Sequence, residues 1–284
     1  MISLPQEVQQ RIKNIKLIVS DVDGTLISSK NGVGEQTVEL VKKLKQKGVL
    51  FTFATQRVHS SIVPFAEKLE IELPIITVNG ALIKDLKNNV LQKSVISPKK
   101  VLKAISFSDR FYVRTALVYD DEIVYTEDNS VLKDYMYRLG TNYRLVDSYY
   151  NYLDKVVEII MLGNERKVVK YIQKKMNYPF KYFLNAKYYR TSSSLGIYNL
   201  EIRCSGTNKK RALRKLTGHL GIRRSQVATI GDWYNDRDLF EYGGFNVALQ
   251  NAVPELKAIS DLITERTNEE DGVAEFLKYL YDSI

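Results

Sequence analysis

Asp21 and Asp23 stand two residues apart, directly after the run Ile15-Lys16-Leu17-Ile18-Val19-Ser20 and directly before Gly24, Thr25 and Leu26. Carboxylates that close repel unless a cation or a shared proton relieves them, so they suit Mg²⁺ binding or carboxylate acid–base chemistry. The competing reading is an Asx-type turn whose side chains only accept nearby N–H groups. Two further apolar runs end in polar residues: Val49-Leu50-Phe51-Thr52-Phe53-Ala54 in Thr55-Gln56-Arg57, and Val227-Ala228-Thr229-Ile230 in Gly231-Asp232-Trp233-Tyr234-Asn235-Asp236. Carboxylates from two loops would form an oxygen-ligand site with open positions for water and a phosphate oxygen, as Mg²⁺ prefers.

The runs that precede these groups have the composition of strands covered on both faces, as in a parallel sheet. Val38, Val41 and Leu44 recur at helical spacing and Gly48 closes the segment, which predicts a helix over 37–48. A third strand is expected at 74–78, ending in Asn79-Gly80. Strands alternating with helices mean βαβ units, hence a doubly wound, Rossmann-like α/β core with right-handed crossovers. If the first strand lies between the second and the one ending at Ile230, the three polar loops meet at the switch point of the sheet.

The rhythm changes between about 90 and 197. The expected elements there are a helix at 98–106, a strand pair at 111–118 and 122–125, a helix at 131–139, a strand at 156–162, a helix at 165–176 and two short strands within 180–191. Hairpin-like pairs separated by helices describe an inserted α+β domain. The first rhythm resumes after Leu200. Asn208 caps a helix carrying Ala212, Leu213, Leu216 and Leu220, a strand follows at 245–248, and a helix closes the chain at 272–280. The expected division is 1–88 plus 198–284 for the core and 89–197 for the insertion.

The 284 residues carry a net charge of +9 and one cysteine, Cys204, which excludes an internal disulfide and a thiolate metal cage. No apolar run reaches membrane-spanning length and no basic-then-apolar leader is visible, so a soluble cytoplasmic protein is expected. Residues 90–199 hold 18 Lys+Arg against 11 Asp+Glu, an excess of +7, and 15 of the 19 tyrosines. Basic groups among aromatics can bind single-stranded nucleic acid, but they equally line a pocket for a ring-bearing phosphorylated metabolite or form a solvated face; no nucleic-acid or membrane partner is expected. His59 and His219 lack a partner at metal spacing and read as packing or surface residues.

Asp-Val-Asp-Gly-Thr-Leu after an apolar strand, Thr55, Lys209 opening a helix, and Gly-Asp-Trp-Tyr-Asn-Asp at 231–236 together resemble the four motifs of the haloacid dehalogenase-like phosphohydrolases. Asn251-Ala252 and the stretch from Asn268 to Val273 are similar to the Cof-like subgroup, whose members carry an α+β cap between the second and third motifs. The resemblance implies Asp21 as nucleophile and Asp23 as general acid/base, with Mg²⁺ held by Asp21, Asp23 and Asp232. Asp236 would be a further ligand or would orient Asp232 and Lys209. It implies phosphate contacts from Val22, Thr55, Gln56, Lys209 and Asn235, and a substrate-facing Arg57. Two positions depart from the pattern, since Gln56 and Lys210 stand where glycines are usual. The activity implied is Mg²⁺-dependent hydrolysis of a small phosphate ester, a sugar phosphate, nucleotide or cofactor phosphate, through an aspartyl-phosphate. A phosphosugar mutase with the same intermediate and a non-catalytic phosphometabolite-binding protein are the alternatives. The motifs fix neither the ester nor the oligomeric state.

Overall fold

A computed structural model of the protein describes residues 6–29, 32–127, 132, 133, 136, 142–178, 182–190 and 196–284. They form two compact units. The first comprises the chain up to Thr55, Val63–Leu91 and Asn208–Ile284; the second comprises Gln56–Ile62 and Gln92–Thr207.

The first unit is built on a five-stranded parallel sheet in the order Leu262–Ile263, Phe245–Ala248, Val227–Gly231, Leu17–Ser20, Leu50–Phe53. Leu17–Ser20 is buried throughout, as its unbroken apolar character requires. It pairs on both sides, Ser20 opposite Ile230 in one neighbour and opposite Phe53 in the other. The expected arrangement is therefore present, and the residues after these strand ends share one edge of the sheet. Ala212, Leu213 and Leu216 of the helix Lys209–Leu220 pack on Leu17, Val19 and Val227. The helix Glu35–Gln46 buries Thr37, Val41 and Leu44, and Phe276 of the helix Gly272–Ser283 stacks on Phe245 at 6.0 Å.

The run expected as a third strand has a second partner that the sequence does not announce. Ile75–Thr77 is a strand, as expected, and runs parallel to the end of Leu50–Phe53 at the bridge Ala54–Ile76, but it also pairs antiparallel with Leu82–Lys84 in a three-stranded sheet completed by Val90–Lys93. An apolar run announces burial but not its partner.

The second unit is a six-stranded sheet in the order Tyr143–Leu145, Ile123–Tyr125, Arg114–Val118, Glu158–Gly163, Tyr198–Cys204, Leu184–Arg190. Its pairs are antiparallel except that of Tyr143–Leu145 with Ile123–Tyr125. The helices Pro98–Phe111 and Arg166–Met176 contribute Val101, Ala104, Ile105, Val169 and Ile172 to a core shared with Leu117, Ile159, Met161, Leu200 and Ile202. Phe111, expected in a strand, ends the first of these helices, which stops at Tyr112 in the left-handed conformation. The helix expected at 131–139 lies mostly outside the described residues. Of the two strands expected within 180–191, the described residues form one, Leu184–Arg190, while Phe180 and Thr191 fall outside them. Among the described residues no helix is long and apolar enough to cross a membrane.

Candidate active site

The shared sheet edge of the first unit gathers the carboxylates. Asp21 follows Leu17–Ser20 with its N–H donating to the Ile230 carbonyl at 2.9 Å, so the ladder extends one residue beyond the strand and fixes where the side chain leaves. Asp232 follows Val227–Gly231, and Asp236 closes the short turn after it. Asp21, Asp232 and Asp236 are all buried, and each offers a carboxylate oxygen within 4.8 Å of the others. Such a cluster repels itself unless bound protons or cations relieve it.

Lys209 supplies one. It is fully buried, and its Nζ donates to Asp21 Oδ1 at 2.5 Å and to Asp236 Oδ1 at 2.8 Å. The adjacent Lys210 instead reaches Glu241 at 3.0 Å on the exposed side. Asn208 caps the helix by accepting from the Arg211 N–H at 2.8 Å, which sets Lys209 at the helix start. The second oxygen of Asp236 accepts from the N–H groups of Asp232 and Trp233, each at 3.1 Å. Both oxygens of Asp236 are thus engaged in orienting Lys209 and the Asp232 turn.

Asp232 is oriented from the first loop as well. Thr25, named in the sequence but given no role there, donates its hydroxyl to Asp232 Oδ1 at 2.5 Å. Gly24 has φ +78°, and a Cβ there would lie 2.5 Å from Asp232 Oδ2, so only glycine lets the loop pass this carboxylate. Asp23 is half-buried on the same loop, and the buried Val22 accepts at its carbonyl from Leu26 at 3.0 Å and Ile27 at 3.1 Å.

The electrostatics follow from burial of like charges. Burial first, then Asp236 and Asp232, drives the Asp21 carboxyl well above the usual range against the pull of Lys209. Burial and Asp236 push Asp232 up to about 7, while its bond from Thr25 acts the other way. Burial alone would lower the Lys209 ammonium, but Asp21 and Asp236 outweigh it and raise it. Three carboxylates against one ammonium leave a deficit of positive charge that a hard divalent cation with oxygen ligands would fill, so the donor set fits Mg²⁺.

Thr55 is buried at the end of Leu50–Phe53; its N–H donates to Ile76 at 2.9 Å and its carbonyl accepts from Asn79 at 3.0 Å. Asn235 is half-buried in the turn between Asp232 and Asp236. Gln56, half-buried, and Arg57, buried, belong to the second unit. The structure thus brings together Asp21, Asp23, Lys209, Asp232, Asn235 and Asp236 on three loops of the first unit, with Thr55 on the neighbouring strand end.

A sequence profile of haloacid dehalogenase-like hydrolases matches residues 18–277. The phosphatase YwpJ of Bacillus subtilis is 26% identical over 294 residues, covering 94% of this chain and all of that protein. The 5-amino-6-(5-phospho-D-ribitylamino)uracil phosphatase YitU of the same organism is 28% identical, covering 92% of this chain and 96% of its own. Among solved structures, a haloacid dehalogenase-like hydrolase from Bacteroides thetaiotaomicron superposes with a TM-score of 0.82 at 25% identity, covering 93% of this chain and 98% of that one.

Proposed function

The chain belongs to the haloacid dehalogenase-like hydrolase family, whose matched relatives are named phosphatases, and on that premise we propose that it is a Mg²⁺-dependent phosphomonoesterase acting on small phosphorylated metabolites. One observation carries the reading: Asp21, at a strand end, is bonded to a buried lysine and lies in a carboxylate cluster that a divalent cation would complete.

In this reading Asp21 attacks phosphorus in line, forming a bond from its carboxylate oxygen to phosphorus as the bond to the ester oxygen breaks. Asp23 gives its proton to that departing oxygen. It then takes a proton from the water that attacks phosphorus, which releases inorganic phosphate and regenerates Asp21. Lys209 holds Asp21 in place and offsets charge on the phosphoryl oxygens, where electrostatic stabilisation contributes most to catalysis. Thr55 and Asn235 orient the phosphate by hydrogen bonding, with Val22 and Gln56 beside them. Mg²⁺, held by the Asp21 carboxylate, the Asp23 carbonyl and Asp232, would add positive charge at the phosphate. Asp236 serves the site by orienting Lys209 and the Asp232 turn rather than as a ligand. The insertion, expected at 89–197, selects the leaving group, with Arg57 facing it.

YitU is named for a phosphorylated ribitylamino-uracil, which supports placing ring-bearing esters beside sugar and nucleotide phosphates in the substrate range. Phosphate release from a panel of such esters, with and without Mg²⁺, tests the proposal. Metal-dependent turnover of several monoesters is expected. Sugar-phosphate isomerisation without phosphate release would replace hydrolysis by mutase chemistry, and absence of turnover across the panel would leave a binding protein.

A further inference from the structure

The turn that carries Asp23 is held from the C-terminal part of the chain by two asparagine side chains. Asn251 Nδ2 donates to the Gly24 carbonyl at 2.8 Å, and Asn251 Oδ1 accepts from the Asn268 N–H at 3.0 Å. Asn268 Nδ2 in turn donates to the Ile27 carbonyl at 3.0 Å, and Glu269 accepts from the Ser29 N–H at 2.8 Å. The two captured carbonyls bracket Thr25. A carboxamide has a donor at one end and an acceptor at the other, which is what bridging a carbonyl and an N–H demands. Aspartate at 251 would keep the acceptor but set an oxygen against the Gly24 carbonyl.

The same turn has little room elsewhere. Gly24 lies against Asp232 with no space for a Cβ, Thr25 is bonded to Asp232, and Leu26 and Ile27 are bonded back to Val22. The asparagines therefore fix the remaining freedom of the peptide units that follow Asp23. We propose that Asn251 and Asn268 are positioning residues for Asp23, holding the 23–27 turn so that its carboxyl meets the leaving oxygen. This rests on the reading of Asp23 as the acid/base.

The full-length protein carrying Asn251→Ala, Asn251→Asp or Asn268→Ala is compared with wild type and with Asp23→Asn on phosphate esters that span leaving-group acidity. General acid catalysis matters most for a basic leaving group, and kcat/KM reports only the steps up to its departure, before Asp23 acts as base, so Asn251→Ala should lower kcat/KM ~10-fold on an alkyl phosphate and under ~2-fold on p-nitrophenyl phosphate. Asn251→Asp should match it. A second readout needs no metal and no turnover: the Leu26 and Ile27 amides of Asn251→Ala should exchange hydrogen roughly 10-fold faster than in wild type. Should Asn251→Ala fold poorly, Asn268→Ala, which loses the bond to Ile27 and keeps its own N–H, should show the same leaving-group split in smaller measure. Equal losses on both esters, or unchanged exchange at Leu26 and Ile27, overturns the positioning role. If Asp23→Asn shows the split and the asparagine variants do not, the acid/base reading stands and the clamp falls. If Asp23→Asn shows no split, both fall.

Discussion

Thr25 donates its hydroxyl hydrogen to Oδ1 of Asp232 at 2.5 Å, joining two loops whose residues are 207 positions apart in the chain. Both residues are buried, and the bond favours the ionised carboxyl against the burial and the neighbouring Asp236 that push it up to about 7. A hydroxyl that holds a carboxylate ionised and in one orientation prepares it to bind a cation.

Thr25→Val, which keeps the shape and removes the hydroxyl, should therefore weaken Mg²⁺ binding ~10-fold or more, and Thr25→Ser should restore most of it. Trp233 is the one tryptophan of the chain and lies next to Asp232, so its fluorescence gives the titration directly. Equal Mg²⁺ affinity in the valine and serine variants would remove the hydroxyl from the account.

Lys209→Met leaves Asp21 and Asp236 buried without their ammonium. Removing one partner of a buried ion pair costs about 3–5 kcal/mol, and the loss should appear in urea unfolding of the metal-free protein at neutral pH. At low pH the Asp21 carboxyl, held above its usual range by burial and its acidic neighbours, carries a proton and the penalty shrinks. A loss independent of pH would mean that the lysine acts through packing alone.

The raised Asp232 carboxyl sets a pH dependence. A carboxyl that holds its proton more tightly in the folded state contributes stability that is fully present below about pH 4 and is lost as pH rises through about 7. The Tm of the metal-free protein should fall between pH 5 and 8. Glu158, raised to about 8 by burial against the pull of Arg203, adds to that fall in the second unit whether or not metal is present. The informative quantity is the rise in Tm on adding Mg²⁺, expected to be larger at pH 8 than at pH 5 because the metal competes with the proton. An equal rise at both pH values would place the metal away from Asp232.

The fold is legible in the sequence where burial alone decides. Leu17–Ser20 and Val227–Gly231 are continuous apolar runs, and their polar ends are visible as strings. At Ile75–Thr77 the strand is legible but its second pairing, with Leu82–Lys84, is not, because that depends on the turn at Val78–Gly80, where three successive residues have positive φ. The helix Pro98–Phe111 outruns its expected end because Tyr112 takes the left-handed position that glycine usually marks. Tyr143–Leu145 carries no alternation to see, being exposed at all three residues. At the candidate site the individual residues are legible, but their bonds are not. Thr25 with Asp232 and Asn251 with Gly24 are long-range contacts that only the sheet order and the C-terminal path create, whereas the role of Asp236 beside Lys209 is among those the resemblance implies.

The central claim is that Asp21 becomes phosphorylated during turnover. Rapid quenching of the reaction, borohydride reduction of the acyl-phosphate and mass spectrometry of the peptide containing residue 21 tests it most directly, with Asp21→Asn as control. Conversion of Asp21 to homoserine is expected in wild type. The Asn variant should carry no such mark and should lose at least ~10³-fold in turnover, about 4 kcal/mol of barrier. A reduced residue elsewhere in the chain, or near-normal turnover in Asp21→Asn, would contradict the account.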